Sequence, residues 1–484
     1  MNETATRESR ESASPPFPAD PAPTAFPRRV ALIVAAAFFM ETLDGTIVTT
    51  ALPAIAQSFG ESTLAMTASV TAYLVAMAVF VPSAGWASDR FDARNLFAAA
   101  VAVFTVASLL CGVSPTFWTL IASRLLQGAA AAFMSPVGRL IVLRETPKHQ
   151  IIDAIGWIVW PALIGPVVGP PLGGFITTYA SWRWIFLINI PLGIAGVLLV
   201  LKFVPQRRRT VPAKFDARGF VLTGAALATL IHGLSLIAQG GASSPLGGAL
   251  VAFGLCCGYV AVRHALTRDA PMLDLGAARI PTFALTTVTA GFVARIAISM
   301  TPFLLPLMFQ IGFGESAFAS GLMLLVYMGG NLAMKSVTTP VLRRFGFRDV
   351  VRVNGILCAA SLAACGFLSP GLATPVICAV LFVAGMTRSM HFTSMATLAF
   401  ADVDAAHRPG ATTLAAMAQQ VAGAIGVAVA ALALGLFQAL RGAQHLALGD
   451  FQRALFAASV LMAVAVLWSQ RLPRNAGAEL RRLQ

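Results

Sequence analysis

The sequence predicts an all-α integral membrane protein with about 14 transmembrane helices, arranged as two six-helix bundles plus two additional central helices. Three observations predict it: a composition too apolar for water, apolar runs of membrane-crossing length that recur along the chain, and basic residues gathered in alternate connections.

Composition decides the solvent. Of 484 residues, 57% are hydrophobic and only 11% are charged, where a soluble domain carries roughly 25%. Mean hydropathy is +0.78. Such a chain cannot cover itself with a polar surface, so the bilayer is its solvent. The 41 Gly and 28 Pro do not argue for loops, because membrane helices tolerate both where neighbours re-satisfy the backbone. The formal net charge of +14 is spread over short connections rather than one patch, which argues against nucleic acid. Cys111, Cys256, Cys257, Cys358, Cys365 and Cys378 all fall in apolar segments without metal-ligand spacing, so buried, inert thiols are expected, with no metal and no cofactor.

The elements follow in order. Residues 1–27 are rich in Pro, Ser, Thr and charge and read as a disordered cytoplasmic tail, with no signal peptide expected before the first span. A 20-residue apolar helix crosses about 30 Å of hydrocarbon. Spans 1 to 14 are predicted to start near Val30, Met66, Leu96, Phe117, Ile151, Trp184, Gly219, Leu246, Thr282, Phe318, Val350, Thr374, Thr412 and Leu455. The predicted units are an N-terminal six-helix bundle (28–204), a cytoplasmic linker (205–218), two inserted helices (219–264), a cytoplasmic connection (265–281), a C-terminal six-helix bundle (282–470) and a cytoplasmic tail (471–484).

Orientation comes from arginine and lysine, which are retained on the cytoplasmic side. Alternate connections carry them: Arg28 and Arg29; Arg90 and Arg94; Arg139, Arg144 and Lys148; Arg207, Arg208, Arg209 and Lys214; Arg263 and Arg268; Arg343, Arg344 and Arg348; Arg471 and Arg474. The intervening loops hold chiefly Arg183, Arg441 and Arg453. An even number of spans in an inner membrane, both termini cytoplasmic, fits this alternation. Arg-Phe-x-x-Arg stands after span 2 (Arg90 to Arg94) and again after span 10 (Arg344 to Arg348), which is either a duplicated bundle or a chance recurrence.

Span 1 contains FMETLDGTIVTTALP, placing Glu41 and Asp44 three residues apart on one helical face. A charge near the bilayer centre costs about 2.5–3.5 kcal/mol on insertion scales. Each acid must therefore face a cavity, pair with a cation or carry a proton. Proton exchange and a structural ion pair are both open readings. Arg124, Arg295, Lys335 and Arg388 also fall within spans and are candidate partners or cavity charges. Arginine keeps its proton and acts as a fixed charge, whereas a buried lysine can titrate, and Lys335 and Arg388 can alternatively snorkel to a helix end. Span 5 reads GPVVGPPLGG, with Gly165, Gly169 and Gly173 on one face beside Gly174, while Pro166, Pro170 and Pro171 remove backbone donors. That pattern permits a close, bendable contact and is equally met in helices that simply pack. Trp157, Trp160, Phe292, Met300, Met308, Met323 and Met417 either line a promiscuous cavity or serve packing and an interfacial belt.

LDGTIVTTALP in span 1, GWASDRFDAR after span 2, RLLQGAAAA in span 4, GPVVGPPLGG in span 5 and SWRWIFLINIPLG entering span 6 occur in the order shown by fourteen-span drug:proton antiporters of the major facilitator superfamily, which the chain resembles. FLLPLMFQ (303–310) and QQVAGAIGVAV (419–429) extend the likeness through the second half. The resemblance implies proton coupling at Asp44 and Arg124. It also implies a loop at Asp89, Arg90 and Arg94 that latches the bundles, and an antiporter helix at Gly165, Pro166, Gly169, Pro170, Gly173 and Gly174. Asp92 stands where a glycine is usual and Ala93 where a basic residue is usual, which weakens the expected latch.

The function expected is export of hydrophobic or amphipathic small molecules in exchange for protons, with transport of a single metabolite as the alternative and a non-transporting receptor behind it. One charge crossing 100 mV is worth about 2.3 kcal/mol, enough to drive such exchange. No GxxxxGK[ST] loop offers ATP binding, and no HExxH or GxSxG motif offers enzyme chemistry. The expected partners are substrate, protons and the lipid bilayer, and the sequence leaves a periplasmic adaptor open.

Overall fold

The structure is a computed structural model describing residues 28–147, 150–206, 215–240, 244–268, 271–404, 407–473 and 476–477. Lys148, Arg207, Arg208, Arg209, Lys214 and Arg474, together with the predicted tail 1–27, lie outside them. The described residues form helices and no strand. Fourteen of the helices are long and apolar enough to cross a membrane.

Spans 1 to 6 are Arg28–Thr50, Thr63–Phe80, Ala93–Gly112, Phe117–Glu145, Asp153–Tyr179 and Trp184–Phe203. Spans 7 and 8 are Ala217–Gln239 and Pro245–Thr267. Spans 9 to 14 are Pro281–Gly312, Ala317–Phe345, Phe347–Gly366, Thr374–Ala399, Arg408–Leu440 and Leu448–Ser469. Their starts are set by caps: Ser62, Asp92, Thr116 and Ser316 each accept a bond from the third backbone N–H of the helix that follows. Span 14 begins earlier than expected because Asp450 is completely buried and paired with Arg441 at 2.6 Å. Neutralised, a charge that reads as loop sits inside the helix.

Spans 1 to 6 pack among themselves, as do spans 9 to 14. The two sets meet along spans 5 and 10 and along spans 2 and 13. Shifting each span by eight places relates one seam to the other, as expected for a duplicated bundle. Spans 7 and 8 form a tight hairpin, and span 7 lies against spans 2 and 13.

The hairpin's root is Asp216, which caps span 7 through the Gly219 N–H at 3.0 Å. Asp216 also accepts from the Met272 N–H at 3.2 Å and sits 2.9 Å from His264 Nε2 and 3.4 Å from Arg268. Burial opposes ionisation of its carboxyl, and the bonds from His264, Gly219 and Met272 outweigh that, holding it below the ordinary aspartate range.

The cores show where the two sets meet. One large cluster runs from Ile47, Phe186 and Leu120 across to Phe303, Phe309 and Leu434, joining both halves at the end of the molecule opposite Arg90, Arg344 and Arg348. Toward the basic end each half has a core of its own. One contains Val34, Phe97 and Val137, the other Leu342, Val351 and Leu398. The halves thus share their largest core at one end, and toward the other they meet in a smaller cluster where Val75 and Val79 of span 2 pack with Met417 and Val421 of span 13. Across the end with the largest core Gln310 Nε2 donates to the Thr50 carbonyl at 3.0 Å, and the Phe318 N–H donates to Thr178 Oγ1 at 3.1 Å.

The cysteines divide. Cys111, Cys358 and Cys365 are buried as expected, but Cys256 is exposed on span 8, which packs chiefly on span 7, and Cys257 and Cys378 are intermediate.

Candidate functional site

Both acids of span 1 are buried, Glu41 at 6% and Asp44 at 0% exposure. The threonines between and beyond them bond to their own helix, Thr42 to the Phe38 carbonyl at 2.8 Å and Thr46 to the Thr42 carbonyl at 3.0 Å. Their hydroxyls therefore leave the acids to find partners elsewhere.

Asp44 finds Arg124 of span 4, whose Nη1 lies 2.6 Å from Asp44 Oδ2. Arg124 also donates to Gln127 Oε1 at 2.6 Å and to the Ser69 carbonyl at 3.2 Å, and its guanidinium stands 4.4 Å from the Tyr73 ring centre. Gln127 Nε2 and Asn189 Nδ2 donate to Asp44 Oδ1 at 2.9 and 3.0 Å. The same two nitrogens donate to Ser108 Oγ at 3.1 and 2.9 Å, and Ser108 passes its own proton to the Phe186 carbonyl at 3.1 Å. Every group bonded to Asp44 is a donor, the set that suits a carboxylate. Spans 1, 3, 4 and 6 are thereby tied at one buried point. Glu41 is different. Ser135 Oγ donates to Glu41 Oε2 at 2.7 Å, and no cation among the described residues forms an ion pair with it.

Span 5 is wedged between spans 1 and 10. A Cβ at Gly165 or Gly169 would fall 2.3 Å from the hydroxyl of Thr42 or Thr46, and one at Gly173 would fall 2.5 Å from the Ile47 carbonyl. On its other side a Cβ at Gly174 would fall 2.2 Å from the Ala317 carbonyl, and Gly321 meets the Pro170 carbonyl at 2.4 Å in the same sense. Pro166 lines a cavity between the halves. Removing Cβ atoms lets span 5 touch both bundles with its backbone.

Among the described residues, Asp89, Arg90 and Arg94 form no hydrogen bond or ion pair with the second half. Asp89 and Arg90 are exposed, and neither forms an ion pair with a described residue. Arg94 donates to the Leu201 carbonyl in span 6, and Asp92 caps span 3 by accepting the Asn95 N–H at 3.1 Å. The residue that replaces the usual glycine has a local job.

Arg295, Lys335 and Arg388 come together on one cavity of about 350 Å³, between span 5 and spans 9, 10, 12 and 13. Arg295 is 8% exposed, and its Nη1 donates to the Thr286 and Thr287 carbonyls at 3.1 and 3.4 Å, where span 9 widens into a π-helical turn. Lys335 Nζ donates to Thr393 Oγ1 at 2.7 Å. Arg388 lies 3.7 Å from Met328 Sδ and 5.6 Å from the Tyr327 ring centre. Of the candidate aromatic and sulfur liners, Trp157 and Trp160 point outward at 45% and 58% exposure, and Met300 and Met308 are packed core. Met328 and Phe392 line the cavity instead.

Sequence reasoning missed Gln127, Asn189, Ser108 and Ser135. Gln127 had a signal, one helical turn beyond Arg124 in RLLQG, and Asn189 was the single polar residue of FLINIPLG.

Two helical halves packed about a central cavity and joined by their largest core at one end define a secondary-transporter architecture. The chain matches the Major Facilitator Superfamily over residues 34–427 and belongs to that family. It is a multi-pass membrane transporter, not an enzyme. It is 38% identical over 455 residues to a Klebsiella pneumoniae protein provisionally named multidrug resistance protein MdtD, covering 92% of this chain and 95% of that one. An Escherichia coli O6:H1 protein of the same name is 40% identical over 416 residues, 85% of this chain and 86% of its own. Among solved structures the fold is similar to a D-xylose-proton symporter (TM-score 0.66, 13% identity, 94% of this chain and 99% of that one). It is similar also to a POT family transporter, PepTSo (TM-score 0.67, 13% identity, 95% and 99%).

Proposed function

We propose that this protein exports hydrophobic or amphipathic small molecules across the bacterial inner membrane in exchange for protons, with both termini cytoplasmic and residues 28–204 and 282–470 rocking as two units. The observation that carries the reading is the pair of buried carboxyls in span 1: Asp44 locked to Arg124, and Glu41 one turn away with Ser135 as its hydrogen-bond partner among the described residues.

The arrangement gives protons two stages. Adding a proton to Asp44 removes the charge that Arg124, Gln127 and Asn189 all address, loosening the tie among spans 1, 3, 4 and 6. Glu41 binds or releases a proton with no ion pair to break among the described residues. Span 1 carries both groups and bears directly on the glycine face of span 5, so a change at Asp44 reaches the contact between the halves. With basic loops inside, the end at which the halves share less core faces the cytoplasm, the side from which an exporter loads. Asp89 and Arg90 then belong to the closure of that end, reached when the cavity faces outward. The provisional names of the relatives support multidrug efflux as the task.

The test is substrate-induced proton release from everted vesicles containing the full chain. Asp44→Asn should abolish it while the purified variant still elutes as a single folded species. Unchanged release would remove Asp44 from the mechanism.

A further inference from the structure

The central cavity has a charge pattern that generic export of apolar compounds leaves unexplained. Three cations, Arg295, Lys335 and Arg388, line it together with the amides of Asn331, Gln419 and Gln420, and no Asp or Glu among the described residues contributes to its wall. None of the three cations forms an ion pair with a carboxylate among the described residues. Their partners are weak: a threonine hydroxyl for Lys335, a thioether and a ring face for Arg388, two carbonyls for one nitrogen of Arg295. Arg295 Nε and Ser389 Oγ, both on buried residues of the cavity wall, have no hydrogen-bond partner among the described residues. Elsewhere in this chain the buried cation Arg124 is matched by a carboxylate. Arg295 is buried without that match, and Lys335 and Arg388 are half-buried without it; charge withdrawn from water persists where something supplies the counter-charge.

We propose that the ligand supplies it: the cavity binds an amphipathic organic anion, its carboxylate, sulfonate or phosphate held by Lys335 and Arg388 and its apolar body against Met328, Phe392 and Val167. Arg295, tethered through Nη1 to the widened turn of span 9, fixes the positive field from behind. The volume of about 350 Å³ falls within the range of small-molecule sites. A lipophilic cation would meet three like charges in the same space. The proposal rests on the reading of this cavity as the transporter's substrate site, and it narrows the substrate class from amphipathic molecules in general to acidic ones.

The experiment is equilibrium binding to the purified full chain in detergent, followed by fluorescence anisotropy, with fluorescein and rhodamine 6G as probes. They share a xanthene ring system and carry opposite charge. Fluorescein should bind more tightly than rhodamine 6G by about tenfold or more, and Lys335→Gln and Arg388→Gln should each weaken it about thirtyfold or more, as loss of one member of a desolvated charge pair does. Arg388→Lys should keep most of the affinity, separating charge from fold, and each variant should elute as the parent does. Absence of fluorescein binding, equal binding of the two dyes, or tighter rhodamine 6G overturns the proposal. Displacement of fluorescein by phosphatidylglycerol at equal affinity assigns the anion site to a lipid headgroup and overturns its reading as a site for a soluble acidic substrate. Binding needs no gradient. Fluorescein that binds but does not move in everted vesicles under a pH gradient leaves this inference standing and removes the proton-driven reading. Gradient-driven uptake of rhodamine 6G without fluorescein binding does the reverse.

Discussion

Arg124 Nη1 stands 2.6 Å from Asp44 Oδ2, and both side chains are closed off from solvent at 1% and 0% exposure. Taking one partner from such a pair costs about 3–5 kcal/mol, because the other charge stays buried without compensation, whereas taking both can be nearly neutral. Arg124→Gln should therefore lower the thermal midpoint sharply, and Arg124→Gln with Asp44→Asn should recover much of the loss while remaining inactive. Thermal unfolding of the three proteins in one detergent checks this. A double variant less stable than Arg124→Gln would show that the pair earns its place by attraction rather than by avoiding a stranded charge.

Gln127 and Asn189 reach the same oxygen of Asp44 and the same hydroxyl of Ser108. Replacing either by alanine should cost about 1.5–3 kcal/mol, the range for hydrogen bonds to charged groups. Because each still supports Asp44 when the other is gone, the double replacement should exceed the sum by a coupling of about 0.5–3 kcal/mol. A double-mutant cycle by denaturant unfolding measures the coupling directly. Strict additivity would mean that the two amides act on Asp44 independently.

Much of the fold was legible because bilayer thickness imposes a length on every apolar run: span 4 was expected from Phe117 and span 12 from Thr374, where both begin. Span 14 was misplaced toward Leu455 because the pairing that neutralises Asp450 is a tertiary fact. The acids of span 1 were visible as charge in an apolar helix. Their different fates were not, since Arg124 lies 80 residues from Asp44 and nothing local says which acid it takes. The meeting of Arg295, Lys335 and Arg388 on one cavity was equally hidden, because it depends on how spans 9, 10 and 12 rotate about their axes. Cys256 shows the converse limit, for an apolar segment alone does not tell a packed helix face from an exposed one.

Gly174 touches the second half of the molecule through backbone alone, and a Cβ there would fall 2.2 Å from the Ala317 carbonyl. Backbone cannot yield as a side chain does, and overpacking of this kind costs about 1–3 kcal/mol. Gly174→Ala should therefore disfavour the state in which this end is closed, by about 5- to 150-fold in population. A cysteine at Thr50, buried at the same seam, reports the change in a background cleared of native cysteines: its maleimide labelling should accelerate in Gly174→Ala. Gly156→Ala, where a Cβ meets nothing within 4 Å, should leave the rate alone. Labelling that is no faster in Gly174→Ala would show that the two halves absorb the methyl by sliding.

Asp216 holds the root of the inserted hairpin through the Gly219 and Met272 N–H groups, with His264 and Arg268 beside it. Its carboxyl titrates below the ordinary range because these bonds outweigh the burial that opposes ionisation. A depressed folded-state pKa means that ionised Asp216 stabilises the fold above the unfolded value of about 3.9, and that this contribution is lost as pH falls through the lower folded value. Asp216→Asn keeps a capping side chain and removes the charge, so it isolates that contribution, on the order of 1–3 kcal/mol. The gap in thermal midpoint between parent and variant should be full near neutrality and close below about pH 4. A gap that widens on acidification would reverse the sign and place the stabilising charge on a basic neighbour instead.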